Sequence, residues 1–289
     1  LALQGLGRSQ PGQRQQVGWG RGTWVTLKRM KVVILCGGKG TRLREETEFR
    51  PKPMVPIGGQ PILWHIMKYY AHFGHRDFIL CLGYKGEMIK DYFRNYFWNR
   101  CDVTLSLGRQ ARAKFHDHHE EEDWTVTLAD TGLESQTGYR LKLARRHLQP
   151  GEPFLMTYGD GLSNIDINAS IAEHRRCGRV VTLSAVHPAG RFGMMALEED
   201  GRIHRFHEKP QVEAVWVNGG YMVCDPRVFD YIPDDPSCSF ERGPIGRLVE
   251  EHQLHSFKHE GWWQPMDTYQ EMTYLNGLWA EGKAPWKVW

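Results

Sequence analysis

Residues 32–59 read VVILCGGKGTRLREETEFRPKPMVPIGG. A short apolar run breaks into the turn Gly37-Gly38-Lys39-Gly40, Thr41 and Arg42 follow at once, and Lys52 stands further on between Pro51 and Pro53. Glycines at the end of a strand let backbone N–H groups approach phosphate oxygens, and open parallel sheets take ligands at the carboxyl ends of their strands. The spacing excludes two other phosphate loops. A dinucleotide fingerprint, G-x-G-x-x-G, opens a helix, whereas Arg44–Pro56 is charged, proline-broken and reads as non-helical. A P-loop, G-x-x-x-x-G-K-[ST], carries its lysine after the last glycine, whereas Lys39 precedes Gly40. There remain a glycine cradle, an arginine two residues beyond it, and a lysine presented by a backbone that two prolines restrict. Such a fixed cation suits a phosphoryl group under transfer.

The elements that must hold these residues can be read from periodicity. KVVILCGG reads as a buried strand, PILWHIMKYYAHFG as a helix with proline at its first turn and glycine past its end, and RDFILCLG as a second strand. KGEMIKDYFRNYF makes a second helix and DVTLSLG a third strand, which is βαβ order. Residues 109–123 then read as a polar, charged loop. WTVTLAD, YRLKLARRHL and PFLMTYGDG resume as strand, helix and strand, the last ending in a turn that carries Asp160. A helix near 166–177 and the strand RVVTLSAV come next, then a hairpin and meander from RFGMMALEEDGRIHRFHEKP onward, turning at Asp200-Gly201. PMDTYQEMTYLNGLWAEGK closes as a helix with Asp267 just before it. The fold expected is α/β: a single Rossmann-like domain over residues 30–289 with a mixed, mostly parallel central sheet flanked by helices, plus a small antiparallel β appendage.

Composition narrows the class. Of 289 residues 40% are apolar, enough for a sizeable core. Cys36, Cys81, Cys101, Cys177, Cys224 and Cys238 form no Cys-x-x-Cys pair, which argues against zinc and against a disulfide framework. His116, His118 and His119 in HDHHEEED lack metal-ligand spacing. Residues 1–29 hold five basic residues and no acid and read as an extraneous or disordered segment, with Met30 as the start. Without them the balance is 32 basic against 34 acidic residues, and the formal charge moves from +3 to −2. The basic character is therefore no argument for a nucleic-acid partner. No apolar stretch is long enough for a membrane span, so the expected location is cytoplasmic.

GGKGTRL followed by RPKPMVPIGGQPIL resembles the signature of the sugar-phosphate nucleotidyltransferases, L-x-G-G-x-G-T-R-L and then P-K-x-M-x-x-I-x-x-x-P-[IL]. TYGDG, RFG, EKP, NGGYMV and GWWQPMDT come in order after it, so the resemblance spans Met30–Trp289. QPILWHIMKYY, GYKGEMIKDYFRNYF and GKAPWKVW are most similar to the branch that uses CTP and glucose 1-phosphate. The resemblance implies attack of the sugar phosphate on the α-phosphate of the nucleotide, with Arg42 and Lys52 as catalytic cations. It places Leu35, Gly37, Gly38, Gly40, Thr41, Arg42, Thr137, Gly138 and Arg140 on the nucleotide, and Lys52, Glu208, Lys209 and Asn218 on the sugar phosphate, with Gly219 and Gly220 leaving room for the ring. Asp160 and Asp267 would hold Mg2+. Read alone, Asp160 is also a turn-capping residue before Gly161, and Asp267 a helix N-cap. Tyr139 stands where the branch has glycine. The resemblance further implies a homo-oligomer, hexameric in the nearest relatives, and a role in supplying CDP-linked sugars to lipopolysaccharide O-antigen. UTP or dTTP in place of CTP, and a non-catalytic regulatory homologue that binds nucleotide sugars, are the alternatives.

Overall fold

The structure is a computed structural model that describes residues 29–107, 112–116, 123–188, 194–198, 202–207 and 215–289. It opens with β1 (Lys31–Leu35), a single helical turn α1 (Arg44–Thr47), a 3-10 turn at Lys52–Met54, and a minimal hairpin of β2 (Pro56–Ile57) and β3 (Gln60–Pro61). Next come α2 (Ile62–His72), β4 (Asp77–Leu82), α3 (Gly86–Arg94), β5 (Val103–Ser106), β6 (Arg112–Phe115), β7 (Thr125–Asp130) and α4 (Thr137–Ala144). The second half runs through β8 (Phe154–Tyr158), β9 (Gly161–Ser163), α5 (Ile167–Cys177), β10 (Val181–Val186), β11 (Met194–Leu197) and β12 (Ile203–His207). It ends with β13 (Val217–Cys224), α6 (Pro244–Glu250), β14 (Leu254–His259), β15 (Trp263–Pro265) and α7 (Tyr269–Ala280).

Seven strands form the central sheet in the order β14-β10-β13-β8-β1-β4-β7. Every neighbouring pair is parallel except those of β13, which runs antiparallel to β10 and to β8. The mixed, mostly parallel sheet expected from the alternation is therefore the one that forms. The centre of the sheet is apolar on both faces because helices cover both. In β1, Val32 and Ile34 enter one core and Val33 and Leu35 the other, all four buried. α2 is buried from Ile62 through Ala71. One side lies on the sheet, and the tryptophans Trp279 and Trp286 near the chain's end pack against His65 on the other.

Three readings are corrected. DVTLSLG does not join the central sheet: β5 pairs with β6 in a separate hairpin, so part of the expected charged loop is itself a strand. β5 has three exposed residues of four and lacks the continuous apolar run of a doubly covered strand, and β7 takes the place beside β4 instead. Arg44–Thr47 also forms one helical turn, sealed where the buried Thr47 hydroxyl donates to the Gly40 and Leu43 carbonyls. The β11–β12 hairpin forms as read, while its Asp200-Gly201 turn lies outside the described residues. Among the described residues no helix is long and apolar enough to cross a membrane.

Two histidines make the fold acid-sensitive. His65 accepts from the Trp286 indole through Nδ1 and meets the Ile57 carbonyl through Nε2, and His75 Nδ1 accepts from the Met30 amide. Burial pushes each imidazole down to about 4. An unfolded histidine takes up its proton near pH 6.5, whereas these resist until about 4, so stability is lost as pH falls through that window. At pH 5 the loss is about 2 kcal/mol for each histidine. Thermal unfolding measured across pH should show Tm level above 7 and falling steadily below 6.5.

Candidate active site

β1 and β8 are neighbours and parallel, so the loops that leave their carboxyl ends meet at one end of the sheet. After β1 comes the glycine loop; after β8 come Gly159 and Asp160. The Gly159 amide donates to the Leu35 carbonyl, and a Cβ on Gly159 would lie 2.9 Å from Pro53. That close approach seats the Lys52–Met54 turn against the end of β8. β15 pairs with β9, Pro265 opposite Gly161, and the Met266 amide donates to the Asp160 carbonyl, so Asp267 arrives beside Asp160 from the far end of the sequence.

The result is a four-residue ionic cluster. Lys52 Nζ lies 2.7 Å from Asp160 Oδ2 and 2.5 Å from Asp267 Oδ1, and Arg42 Nη1 lies 2.6 Å from Asp267 Oδ2. Lys52 is buried, whereas the Arg42 side chain is 68% exposed and forms the outer edge. Burial works against the charge of Lys52, but Asp160 and Asp267 outweigh it and raise its pKa, so the ammonium stays protonated. Asp267 is not the helix N-cap: Thr268 is, in a capping box with Glu271, whose carboxylate accepts from the Asp267 and Thr268 amides. The Asp267 side chain is thereby left for the cations. Asp160 likewise directs its carboxylate to Lys52.

Above this cluster opens a cleft of about 410 Å3 lined by Leu35, the loop from Gly37 to Arg42, Lys52, residues 133–137, Arg140, Tyr158 and Asp160. Gly40 needs its glycine twice over: its φ is +61°, and a Cβ would meet Thr47 at 2.7 Å. Gly38 differs, because a Cβ there would touch nothing within 4 Å. Lys39 extends across the mouth to Glu134, at 2.9 Å, an exposed pair that adds little stability.

Arg140 sits in the cleft wall, yet its guanidinium turns inward. Nη1 donates to the Leu82 carbonyl, the Thr131 hydroxyl and the Gly132 carbonyl, and Nη2 to the carbonyls of Gly37 and Leu133. It is 4% exposed. A residue expected on the nucleotide instead ties the glycine loop to the ends of β4 and β7, and a Cβ on Gly37 would lie 2.2 Å from it.

Other expected residues fall differently. Gly138 packs on a neighbouring loop, where a Cβ would lie 2.9 Å from Cys238 Sγ. Tyr139 adopts ordinary helical backbone in α4, so the position makes no conformational demand for glycine. Asn218 accepts from the Gly220 amide and its side chain hydrogen-bonds Tyr158. At Gly219 and Gly220 an added Cβ would meet Val186 and Tyr158, each at 2.7 Å, so neighbours within the protein already require glycine there. Glu208 and Lys209 lie outside the described residues. A residue the sequence did not single out, Glu241, accepts from the Thr137 and Ser239 hydroxyls at 2.7 Å each, and from Tyr158.

Comparison with known proteins joins this geometry to a family. The nucleotidyl transferase family model matches residues 31–274. The chain belongs to the nucleotidyl transferase family. It is 49% identical over 260 residues to a glucose-1-phosphate cytidylyltransferase of Salmonella typhi, covering 90% of this chain and all of that one. A probable glucose-1-phosphate cytidylyltransferase of Bacillus subtilis is 41% identical over the same shares. The fold is that of HddC from Yersinia pseudotuberculosis complexed with GMP-PN, with TM-score 0.61 and 21% identity over 86% of this chain and 99% of that one. A UDP-glucose pyrophosphorylase complexed with UDP-glucose gives TM-score 0.61 at 14% identity, over 88% and 99%. In this nucleotidyl transferase the glycine cradle and the ionic cluster occupy one end of one sheet.

Proposed function

We propose that this nucleotidyl transferase moves a cytidylyl group from CTP to α-D-glucose 1-phosphate, giving CDP-glucose and pyrophosphate. The observation that carries the reading is Lys52, held by Asp160 and Asp267 at the floor of a glycine-lined cleft. A phosphate oxygen of the sugar attacks the α-phosphorus of CTP, forming one P–O bond as the bond to the β-phosphate oxygen breaks. Both reactants bring their own oxygens, so the protein needs no nucleophile and its work is positioning and neutralisation of charge. Lys52 meets the phosphates that react, and Arg42, wide and bidentate at the outer edge, takes the departing pyrophosphate. The glycine loop supplies backbone N–H groups to the triphosphate.

The acidic pair fits a divalent cation. Two carboxylates direct hard oxygens at one common point, now held by the Lys52 ammonium, and among the described residues no group of three or more His, Cys, Asp or Glu side chains is arranged to hold a metal ion. Two protein ligands, with phosphates and water for the rest, suit Mg2+, which dehydrates reluctantly. When bound it would neutralise phosphate charge. Asp160 and Asp267 would hold it, and Lys52 and Arg42 would then be released from them toward phosphate.

The reading is tested by pyrophosphate release from CTP, UTP, dTTP and GTP, each with glucose 1-phosphate and Mg2+. CTP should be the best substrate; release from none of the four by folded protein sinks the activity. Gly38→Ala gives a sharper local check. The added methyl enters open space, so Tm should hold within about 1 °C, while the KM for CTP rises roughly tenfold as the backbone is kept off the phosphates. An unchanged KM would remove the glycine loop from the site. A homo-oligomer and a role in O-antigen supply belong to the same proposal, the first checked by sedimentation.

A further inference from the structure

Glu241 is a solvent-exposed carboxylate in the loop before α6, hydrogen-bonded to Thr137 and Tyr158, which line the cleft. Its two oxygens collect three hydroxyl protons, from Thr137, Ser239 and Tyr158. Partial desolvation beside the cleft wall pulls its carboxyl up, and the three hydroxyl hydrogen bonds outweigh this and hold it below the usual range. An ionised carboxylate only accepts, and a hydroxyl has one proton to give. Thr137 and Tyr158 therefore reach the cleft with their protons already committed. Thr137 also accepts from the Phe240 amide at 2.9 Å, which leaves it one lone pair, and Tyr158 is met by the Asn218 side chain.

We propose that Glu241 is a positioning residue that makes this wall of the cleft hydrogen-bond accepting and thereby selects cytosine. The inference rests on the proposed cytidylyl transfer. A ligand group facing such a wall must donate. Among pyrimidine bases cytosine carries an amine at position 4, whereas uracil and thymine carry a carbonyl that would set acceptor against acceptor. The wall belongs to the base and not to the phosphates, because the negative charge of Glu241 disfavours phosphate nearby while Lys52, Arg42 and Lys39 attract it elsewhere in the cleft. Thr137 opens α4, the helix whose Arg140 holds the Gly37 carbonyl, so wall and glycine loop form one rigid unit.

The test is kcat/KM for CTP and for UTP, with glucose 1-phosphate and Mg2+, in the full chain. Glu241→Gln places a donating amide beside the wall, frees a hydroxyl proton to turn into the cleft, and should lower the CTP-to-UTP ratio about tenfold or more. Thr137→Val removes the accepting hydroxyl and should lower the same ratio, whereas Thr137→Ser should keep it. Should Glu241→Gln fail to fold by thermal unfolding, the two Thr137 variants decide. A ratio unchanged in Glu241→Gln and Thr137→Val, with both substrates losing rate equally, overturns the proposal and leaves cytidylyl transfer standing. So does a loss confined to the KM for glucose 1-phosphate. A wild-type protein with no preference for CTP overturns this proposal together with the choice of base.

Discussion

Replacing Lys52 with methionine is expected to lower kcat for CTP and glucose 1-phosphate by roughly a thousandfold, the scale seen when one preorganised charge is removed from a developing anion. The same substitution should tighten binding of Mn2+ alone. In the wild type the ammonium sits 2.7 and 2.5 Å from the two carboxylates and neutralises them. Without it Arg42, on Asp267, is the cation left in the cluster, the acidic pair carries a net negative charge, and a divalent cation should bind at least about tenfold more strongly. Electron paramagnetic resonance of Mn2+ measures this without turnover, and circular dichroism checks the fold. Weaker Mn2+ binding in the variant would mean that lysine and metal do not share the site. Lost turnover with unchanged metal affinity would keep Lys52 catalytic and remove the metal from the two aspartates.

Arg140→Ala should have the largest effect on stability. The guanidinium donates to acceptors on the glycine loop, on β4 and on the turn after β7, and truncation removes five hydrogen bonds, although the Leu82 carbonyl keeps the Thr131 amide and hydroxyl and the Gly37 carbonyl keeps the Tyr84 amide. Losing five hydrogen bonds to a charged group, three of them buried, is expected to cost about 3 kcal/mol, which lowers Tm by roughly 10 °C. Arg140→Lys should recover only part, since an ammonium lacks the planar fork that spans these carbonyls. The KM for CTP should rise in both variants, because the glycine loop loses the Arg140 fork and the Gly37 carbonyl is held by the Tyr84 amide without it. Equal Tm in wild type and Arg140→Ala would show that the clamp carries no weight.

Much of the site was legible because each member sits at a punctuation mark. Glycines flag the turn after β1, two prolines flag Lys52, and Asp160 and Asp267 stand at the end of a strand and the start of a helix. Strand and helix order was legible because β1, β4 and β8 are continuous apolar runs. The features that escaped depend on contacts between distant segments. DVTLSLG alternates well enough to read as a strand, but that alternation does not say which sheet it joins, and its pairing with β6 places it apart. The inward turn of Arg140 is decided by acceptors on the glycine loop, at the end of β4 and after β7, a convergence with no sequence signal. Gly219 and Gly220 read as space for a ligand, and their packing on Val186 and Tyr158, which fixes glycine there on its own, has no sequence signal. Glu241 lies 104 residues from Thr137, and a lone glutamate in SFERG gives no hint of collecting three hydroxyls.

The central claim is direct transfer between two phosphates with no covalent enzyme intermediate, and single-turnover kinetics test it most directly. Enzyme in excess over CTP, with Mg2+, is mixed with and without glucose 1-phosphate, and pyrophosphate and nucleotide products are quantified together. Direct transfer predicts pyrophosphate and CDP-glucose in equal amounts when glucose 1-phosphate is present, and no pyrophosphate without it. Pyrophosphate released from CTP alone, leaving a cytidylylated protein, would contradict it.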